Sequence, residues 1–112
     1  MTDWSSFHQV FQETLGFPSF YGKNMDAWID SMTSVGTPED GMSAITVKPG
    51  QLLVLQINDP FEFKARCPEQ YDALVECAVF VNFRRTEIGG TPSVAILFNG
   101  ATQGIPSVTS VP

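Results

Sequence analysis

The sequence predicts an α/β domain in which helices pack on a small, mainly parallel, three-stranded sheet. Two apolar runs of strand length, Leu52–Ile57 and Ser93–Phe98, flank a helical segment that begins at Pro68 and reaches about Thr86. The order strand, helix, strand indicates a parallel pair joined by a right-handed crossover. A chain of 112 residues is long enough for one hydrophobic core and too short for two.

The first predicted element is an amphipathic helix from Asp3 to Leu15. Its apolar residues recur at three- and four-residue spacing and are expected to face the core: Trp4, Phe7, Phe11 and Leu15. Thr2 or Asp3 is a suitable N-cap, and Gly16 provides a stop just after the last apolar residue.

A second helix is predicted from Asn24, its N-cap, to near Ser34. The segment Phe17-Pro18 cannot continue the first helix, and Gly22 permits a turn into the second, so an aromatic loop lies between the two. The predicted buried stripe of the second helix comprises Met25, Trp28, Ile29 and Met32.

Two strand predictions follow. Ser43–Lys48 is a candidate third strand that leads to a Pro49-Gly50 turn and a possible hairpin with the next strand. Leu52–Ile57 is almost continuously apolar, which is typical of a strand covered on both faces. Ser93–Phe98 is expected to be buried in the same way.

The last predicted helices are a short one around Phe61–Arg66 and the long one from Pro68, whose proline suits a first helical position. The clearest core stripe of the long helix comprises Tyr71, Leu74, Val75 and Ala78, and the positions of Phe80 and Phe83 predict unusually broad burial around it. We expect one domain over residues 1–98 and an extended, uncharged tail over residues 99–112.

The charge composition favours a cationic partner. Twelve acidic and six basic side chains give a formal charge of −6, which repels nucleic acid and anionic lipid and attracts basic proteins. Acidity is also common in proteins without a basic partner, so charge is only supporting information.

The two cysteines, Cys67 and Cys77, are too few for a disulfide framework and are not spaced as a zinc site, so we expect reduced thiols. The N-terminus lacks a basic region followed by an apolar run. The most apolar stretch, Ala73–Val81, is far too short to span a membrane. We therefore expect a cytoplasmic location.

Asp26 and Asp30 lie one turn apart and off the apolar stripe of the second helix. Like charges at this spacing destabilise a helix by about 0.2–0.5 kcal/mol, although Asp26 gains from the dipole of the first turn. One interpretation is a solvated polar face. The other is a cationic partner that donates charge-assisted hydrogen bonds to both carboxylates, with Lys23 opposing it from beside this face.

The stretch Phe17–Asp30, FPSFYGKNMDAWID, resembles the signature of the barstar family, intracellular inhibitors of the ribonuclease barnase. That signature is Leu/Phe-Pro-x-aromatic-Tyr-Gly-x-Asn-Leu/Met-Asp-Ala-x-x-Asp and leads into the inhibitory helix. The resemblance implies a small α/β fold with an inhibitory surface made of a loop and a helix. It further implies that the helix enters the active site of a nuclease and that its aspartates replace substrate phosphates.

Carried over by motif position, Asp30 is the dominant acidic contact, Asp26 the second carboxylate, Phe20 an aromatic loop contact and Gly22 a backbone contact. Tyr21 is as compatible with inward packing as with a partner contact. The predicted partner-binding residues are Phe20, Tyr21, Gly22, Asp26, Ile29 and Asp30.

Departures from the pattern favour a target other than barnase. Phe20 lacks the hydroxyl usual at its position, Ile29 stands where the family has a tryptophan, and Arg84 and Arg85 lie where a further acidic contact is expected. We expect a monomer that binds a basic, extracellular-type ribonuclease or a related toxin.

Two alternatives remain open: an acidic interaction module without a nuclease target, and a small enzyme. His8 is the single histidine and is more typical of a packed or solvated side chain than of a catalytic base. No metal-binding, phosphate-binding or nucleophile motif is present, and Asp26 and Asp30 alone are a weak metal site. We therefore predict no catalytic residues, no metal and no cofactor.

Overall fold

A computed structural model describes residues 2–37 and 41–99. Its elements are, in chain order, α1 (Trp4–Leu15), α2 (Met25–Thr33), a 3₁₀ turn (Ser34–Gly36), β1 (Leu53–Asn58), α3 (Pro60–Arg66), α4 (Pro68–Glu87) and β2 (Val94–Asn99). The α/β class is confirmed. The predicted boundary between a domain at 1–98 and a tail at 99–112 stays a prediction, because residues 100–112 lie outside the described residues.

The ends of α1 follow from local chemistry. The Asp3 carboxylate accepts a hydrogen bond from the Ser6 N–H at 2.8 Å, and Gly16 ends the helix in the left-handed region at φ 68°. The buried residues of its stripe are Phe7, Phe11 and Leu15. The core position expected for Trp4 is wrong: it is the first helical residue, is 36% exposed, and directs its indole N–H toward Glu69 of α4 at 3.4 Å.

The beginning of α2 is fixed by Asn24, whose side-chain oxygen accepts a hydrogen bond from the Ala27 N–H at 2.8 Å. Trp28 and Met32 are fully buried, as their spacing predicts. Their burial anchors one face of α2 in the core and leaves the opposite face to solvent.

The sheet contains one parallel pair in the described residues, with Leu53 opposite Val94 and Asn58 opposite Asn99. The pairing is the one predicted from the order strand, helix, strand.

The third strand predicted at Ser43–Lys48 is wrong. The backbone N–H groups of Ala44 and Ile45 donate to the carbonyl of Leu15, at 2.9 and 3.3 Å, and that of Val47 donates to Val35 at 2.9 Å. These donors serve the ends of α1 and the 3₁₀ turn and are not available to a neighbouring strand. The Pro49-Gly50 turn forms, with Gly50 at φ 83°, but no hairpin follows from it.

The expectation that both strands are covered on both faces is also wrong. In β1, Leu55 and Ile57 are buried, whereas Val54 is 51% exposed. In β2, Val94 is buried and Leu97 is 52% exposed. The alternation in β1 shows that the described helices cover one face of the sheet.

The long helix α4 packs through Leu74, Ala78 and Val81, all buried. The broad burial expected for Phe80 and Phe83 is wrong, since they are 48% and 57% exposed. Phe80 follows the buried Ala78 by two residues, and Phe83 follows the buried Val81 by two. Each phenylalanine therefore lies about 200° around the helix axis from a buried residue, on the side that faces solvent.

Two polar side chains of α4 connect it to the rest of the fold. The Asn82 side chain accepts hydrogen bonds from the N–H groups of Ser93 and Val94, at 3.0 and 3.1 Å, and donates to the Val94 carbonyl at 2.8 Å. Arg85 is buried and donates to the Thr37 hydroxyl at 2.8 Å. These contacts fix the start of β2 and the segment after α2 relative to α4.

Candidate functional site

The aromatic loop holds Phe20 out in solvent between two buried rings. Phe20 is 73% exposed, while Phe17 and Tyr21 are 5% and 6% exposed. The Pro18 carbonyl accepts hydrogen bonds from the Tyr21 N–H at 2.9 Å and from the Gln12 side chain of α1 at 3.0 Å. The loop is therefore anchored to α1, and Phe20 projects from a fixed base.

Tyr21 takes the inward of the two orientations that the sequence left open. Its hydroxyl lies 2.6 Å from Nδ1 of His8, which is also buried. Burial raises the pKa of Tyr21, and burial, with a smaller contribution from Lys23, lowers the pKa of His8. In this conformation Tyr21 connects the loop to α1 through its contact with His8.

The turn into α2 is exposed at Gly22 and Lys23. Lys23 has a φ of 53°, an uncommon left-handed conformation for a residue with a side chain. The Asn24 amide donates to the Gly22 carbonyl at 3.4 Å while its oxygen caps α2. Asn24 thus stabilises both the turn and the beginning of α2.

Asp26 and Asp30 are both exposed and lie off the buried stripe of α2, as their spacing predicts. Ile29 is half-buried and packs against the core. Since Trp28 and Met32 hold the opposite face, the two carboxylates are on a helix that cannot rotate without opening the core.

The helix α4 borders this acidic face. Nη1 of Arg84 lies 3.0 Å from Oδ1 of Asp30, and the two side chains are 39% and 62% exposed. The pKa of Cys77 is raised by burial and then by the negative charges of Glu76 and Asp26. The helices α2 and α4 pack against each other, and the ion pair of Asp30 with Arg84 lies at this junction.

Of the predicted site residues, four are exposed, one is half-buried and one is buried: Phe20, Gly22, Asp26 and Asp30, then Ile29, then Tyr21. Sequence reasoning treated Arg84 only as a departure from a pattern and missed its pairing with Asp30. It also missed the role of His8 beneath the loop. His8 lies three residues before Phe11 and seven before Leu15, and this helical spacing was a signal that His8 faces inward.

Other kinds of site find little support in residues 2–37 and 41–99. No cluster of three His, Cys, Asp or Glu side chains there could hold a metal ion. Cys67 is buried and Cys77 is half-buried, and no disulfide joins them in the described residues. None of the helices described is both long and apolar enough to span a bilayer. A groove of about 270 Å³ between α1 and β1 has an apolar lining without a titratable side chain.

No curated protein matches the chain. A family model described as Barstar (barnase inhibitor) matches residues 1–88. The match includes the loop with Phe20, the acidic helix α2, β1 and the whole of α4. Because it covers far more than half of the 112 residues, the chain belongs to the barstar family, a family of inhibitors with a small α/β fold.

Proposed function

We propose that this protein binds and blocks a basic ribonuclease, or a related nuclease-type toxin, through the loop with Phe20 and the acidic face of α2. The observation that carries the proposal is the exposure of Asp26 and Asp30 on a helix whose other face is fully buried at Trp28 and Met32. Two anionic groups in fixed positions are suited to take the places of RNA phosphates in a cationic cleft.

The rigidity of the surface supports tight binding. The Asn24 cap, the buried stripe of α2 and the anchored loop hold the contact residues before any partner arrives. Association then costs little additional ordering of the chain, and preorganisation of this kind raises affinity. The formal charge of −6 further favours encounter with a basic protein.

The proposed role is non-catalytic. His8 is buried, and its Nδ1 lies within hydrogen-bond distance of the Tyr21 hydroxyl, so this nitrogen is engaged in supporting the loop. A general base has to reach a substrate proton directly or through one water molecule. The position of His8 supports a binding role for this protein over the enzymatic alternative.

The test is titration of the purified protein into a panel of purified basic ribonucleases, with RNA cleavage and calorimetric binding as readouts. For an inhibited ribonuclease, Asp30→Asn is expected to weaken binding by about 30-fold or more, because truncating a desolvated charge pair costs about 2–5 kcal/mol. Asp26→Asn is expected to weaken it less.

The matched control is Glu62→Gln, which removes the acid of a comparable exposed ion pair, Glu62–Arg66 at 2.8 Å, on α3. Its dissociation constant should lie within about fivefold of that of the unmodified protein, since exposed pairs contribute about 0–1 kcal/mol. Failure to inhibit any ribonuclease in the panel, or equal losses from Asp30→Asn and Glu62→Gln, would contradict the proposal.

A further inference from the structure

We infer that Arg84 belongs to the binding surface and selects the partner, which must place a hydrogen-bond acceptor, such as a carboxylate, opposite Arg84 and beside the cations that meet Asp26 and Asp30. The inference rests on the proposed function and narrows it. The fitting partner is a basic protein with an acid among its cations.

The ion pair of Arg84 and Asp30 leaves part of each charged group available to a partner. A guanidinium has five N–H donors, and Arg84 directs Nη1 at Oδ1 of Asp30 at 3.0 Å. Among the described residues, this hydrogen bond joins the two side chains, and it uses one guanidinium nitrogen and one carboxylate oxygen. The side chains are 39% and 62% exposed, which leaves both groups open to a partner.

A partner that covers Asp30 also covers Arg84. Exposed ion pairs are weak, so the pair does not prevent a cation from reaching Asp30. Removing Asp30 from water, however, also removes a guanidinium whose nitrogen lies 3.0 Å away. A desolvated charge that lacks sufficient partners is strongly unfavourable. A partner without an acceptor at this place is therefore rejected, and one that has it gains a second ion pair.

The charges around this pair are of both signs. Although the chain carries −6, Arg84 of α4 pairs with Asp30, and Lys23 is exposed just before the N-cap of α2. The two carboxylates of α2 therefore lie among cations of this protein's own. The complement of such a face is a mixed surface and not a uniformly basic one.

The apolar residues next to Arg84 extend the same surface. Phe80 lies one turn before Arg84 on α4, Phe83 precedes it directly, and both are about half exposed. Aromatic residues and arginine are enriched at the centres of protein interfaces. An apolar patch beside the acceptor is a second property expected of the partner.

The experiment compares Arg84→Met, which keeps an unbranched apolar stem and removes the charge, with Arg84→Lys, which keeps the charge and loses the planar fork. Binding is measured to the ribonuclease that the unmodified protein inhibits and that the Asp30→Asn variant binds more weakly. Arg84→Met is expected to weaken affinity by about tenfold or more, chiefly through faster dissociation, and Arg84→Lys by an intermediate factor. Replacing the facing carboxylate of the ribonuclease by an amide should largely abolish the difference in affinity between the unmodified protein and the Arg84→Met variant.

The matched control is Arg66→Met, since Arg66 and Glu62 form an ion pair on α3 whose side chains are 44% and 60% exposed. It changes net charge equally and should alter affinity by about twofold at most. Thermal unfolding of each variant verifies that it is folded, and Arg84→Gln serves as a second neutral variant.

The outcomes separate the two proposals. If Arg84→Met binds as tightly as the unmodified protein or more tightly, Arg84 only competes for Asp30, and this inference is overturned while the proposed function stands. If Asp30→Asn itself binds normally to every ribonuclease that the protein inhibits, the proposed function fails and the inference fails with it.

Discussion

The hydrogen bond between His8 and Tyr21 links α1 to the loop that presents Phe20. Both side chains are buried, and the hydroxyl and Nδ1 are 2.6 Å apart. Burial lowers the pKa of His8 and so favours the neutral ring, whose Nδ1 can accept a hydrogen bond from the Tyr21 hydroxyl. Support of the loop therefore depends on the protonation state of one residue.

The first prediction concerns the pH dependence of stability. Because the pKa of His8 is lower in the folded than in the unfolded chain, the unfolded chain binds the extra proton first as pH falls. This contribution to stability is complete above the unfolded pKa of about 6.5 and is lost progressively as pH falls below it.

Urea unfolding at about pH 7.5 and about pH 5, on either side of the unfolded pKa of histidine, measures this loss. His8 is the single histidine of the chain, so His8→Gln should show a smaller decrease in the free energy of unfolding between the two conditions. Identical decreases in the two proteins would assign the pH dependence to carboxylates alone.

Residue positions were predictable where a side chain has one obvious preference. The burial of Trp28 and Met32 and the exposure of Asp26 and Asp30 follow from helical spacing. The inward position of His8 was not deduced, because a polar ring is buried only where a partner exists, and its partner lies 13 residues further along the chain.

At the scale of elements, the end of α1 is the junction on which the following segment packs. The Leu15 carbonyl accepts hydrogen bonds from the N–H groups of Ala44 and Ile45 and from the Ser43 hydroxyl. Gly16 has a φ of 68°, and a Cβ at this position would collide with the methyl group of Ala44. The junction therefore requires glycine both for its backbone conformation and for its lack of a side chain.

The second prediction is that Gly16→Ala destabilises the protein more than Gly50→Ala. Gly50 has a φ of 83°, and no atom lies within 4 Å of the place that an added methyl group would take, so its substitution measures backbone strain alone. That strain costs about 1–2 kcal/mol, and Gly16→Ala should lose clearly more because Ala44 has to move. Chemical denaturation of both variants gives the comparison. Equal losses in the free energy of unfolding would show that the segment around Ala44 moves aside without an energetic cost.

Helix boundaries were predictable because their signals are local: Asp3, Gly16, Asn24 and Pro68 lie at or next to the ends that their chemistry favours. The strand at Ser43–Lys48 was mispredicted because its N–H groups bond to the ends of other elements. The residue pattern of a short segment does not show which carbonyl groups the folded chain places next to its N–H groups.

At the scale of the whole molecule, the charge of −6 acts over longer distances than any single contact. The third prediction is that the association rate with a basic ribonuclease falls steeply when salt is raised, because the Debye length shortens from about 10 Å at 0.1 M to about 3 Å at 1 M. Stopped-flow binding at several salt concentrations measures the slope.

A control separates steering from contact. Asp72→Asn removes an exposed charge from α4 and should lower the association rate slightly while leaving the dissociation rate unchanged. Asp30→Asn should act mainly on dissociation. An association rate that is insensitive to salt would contradict electrostatic steering.

The class of the fold was predictable from the order of two apolar strands around a long helix, and the family from the stretch Phe17–Asp30. The charge pattern of the proposed binding face was not predictable, because the pairing of Asp30 with Arg84 joins residues 54 positions apart. Such pairings depend on how α2 and α4 pack, which neither helix specifies alone.

The amide of Asn82 has a consequence for how the sheet can grow. By bonding both the N–H and the carbonyl of Val94, it occupies the groups that an incoming chain would need at the start of β2. The Asn82 side chain thus makes the hydrogen bonds that a neighbouring strand would make with Val94. The unpaired N–H and carbonyl groups of a sheet edge favour association with a strand of another molecule. Because the Asn82 amide already bonds these groups of Val94, another chain cannot readily pair with the first residue of β2.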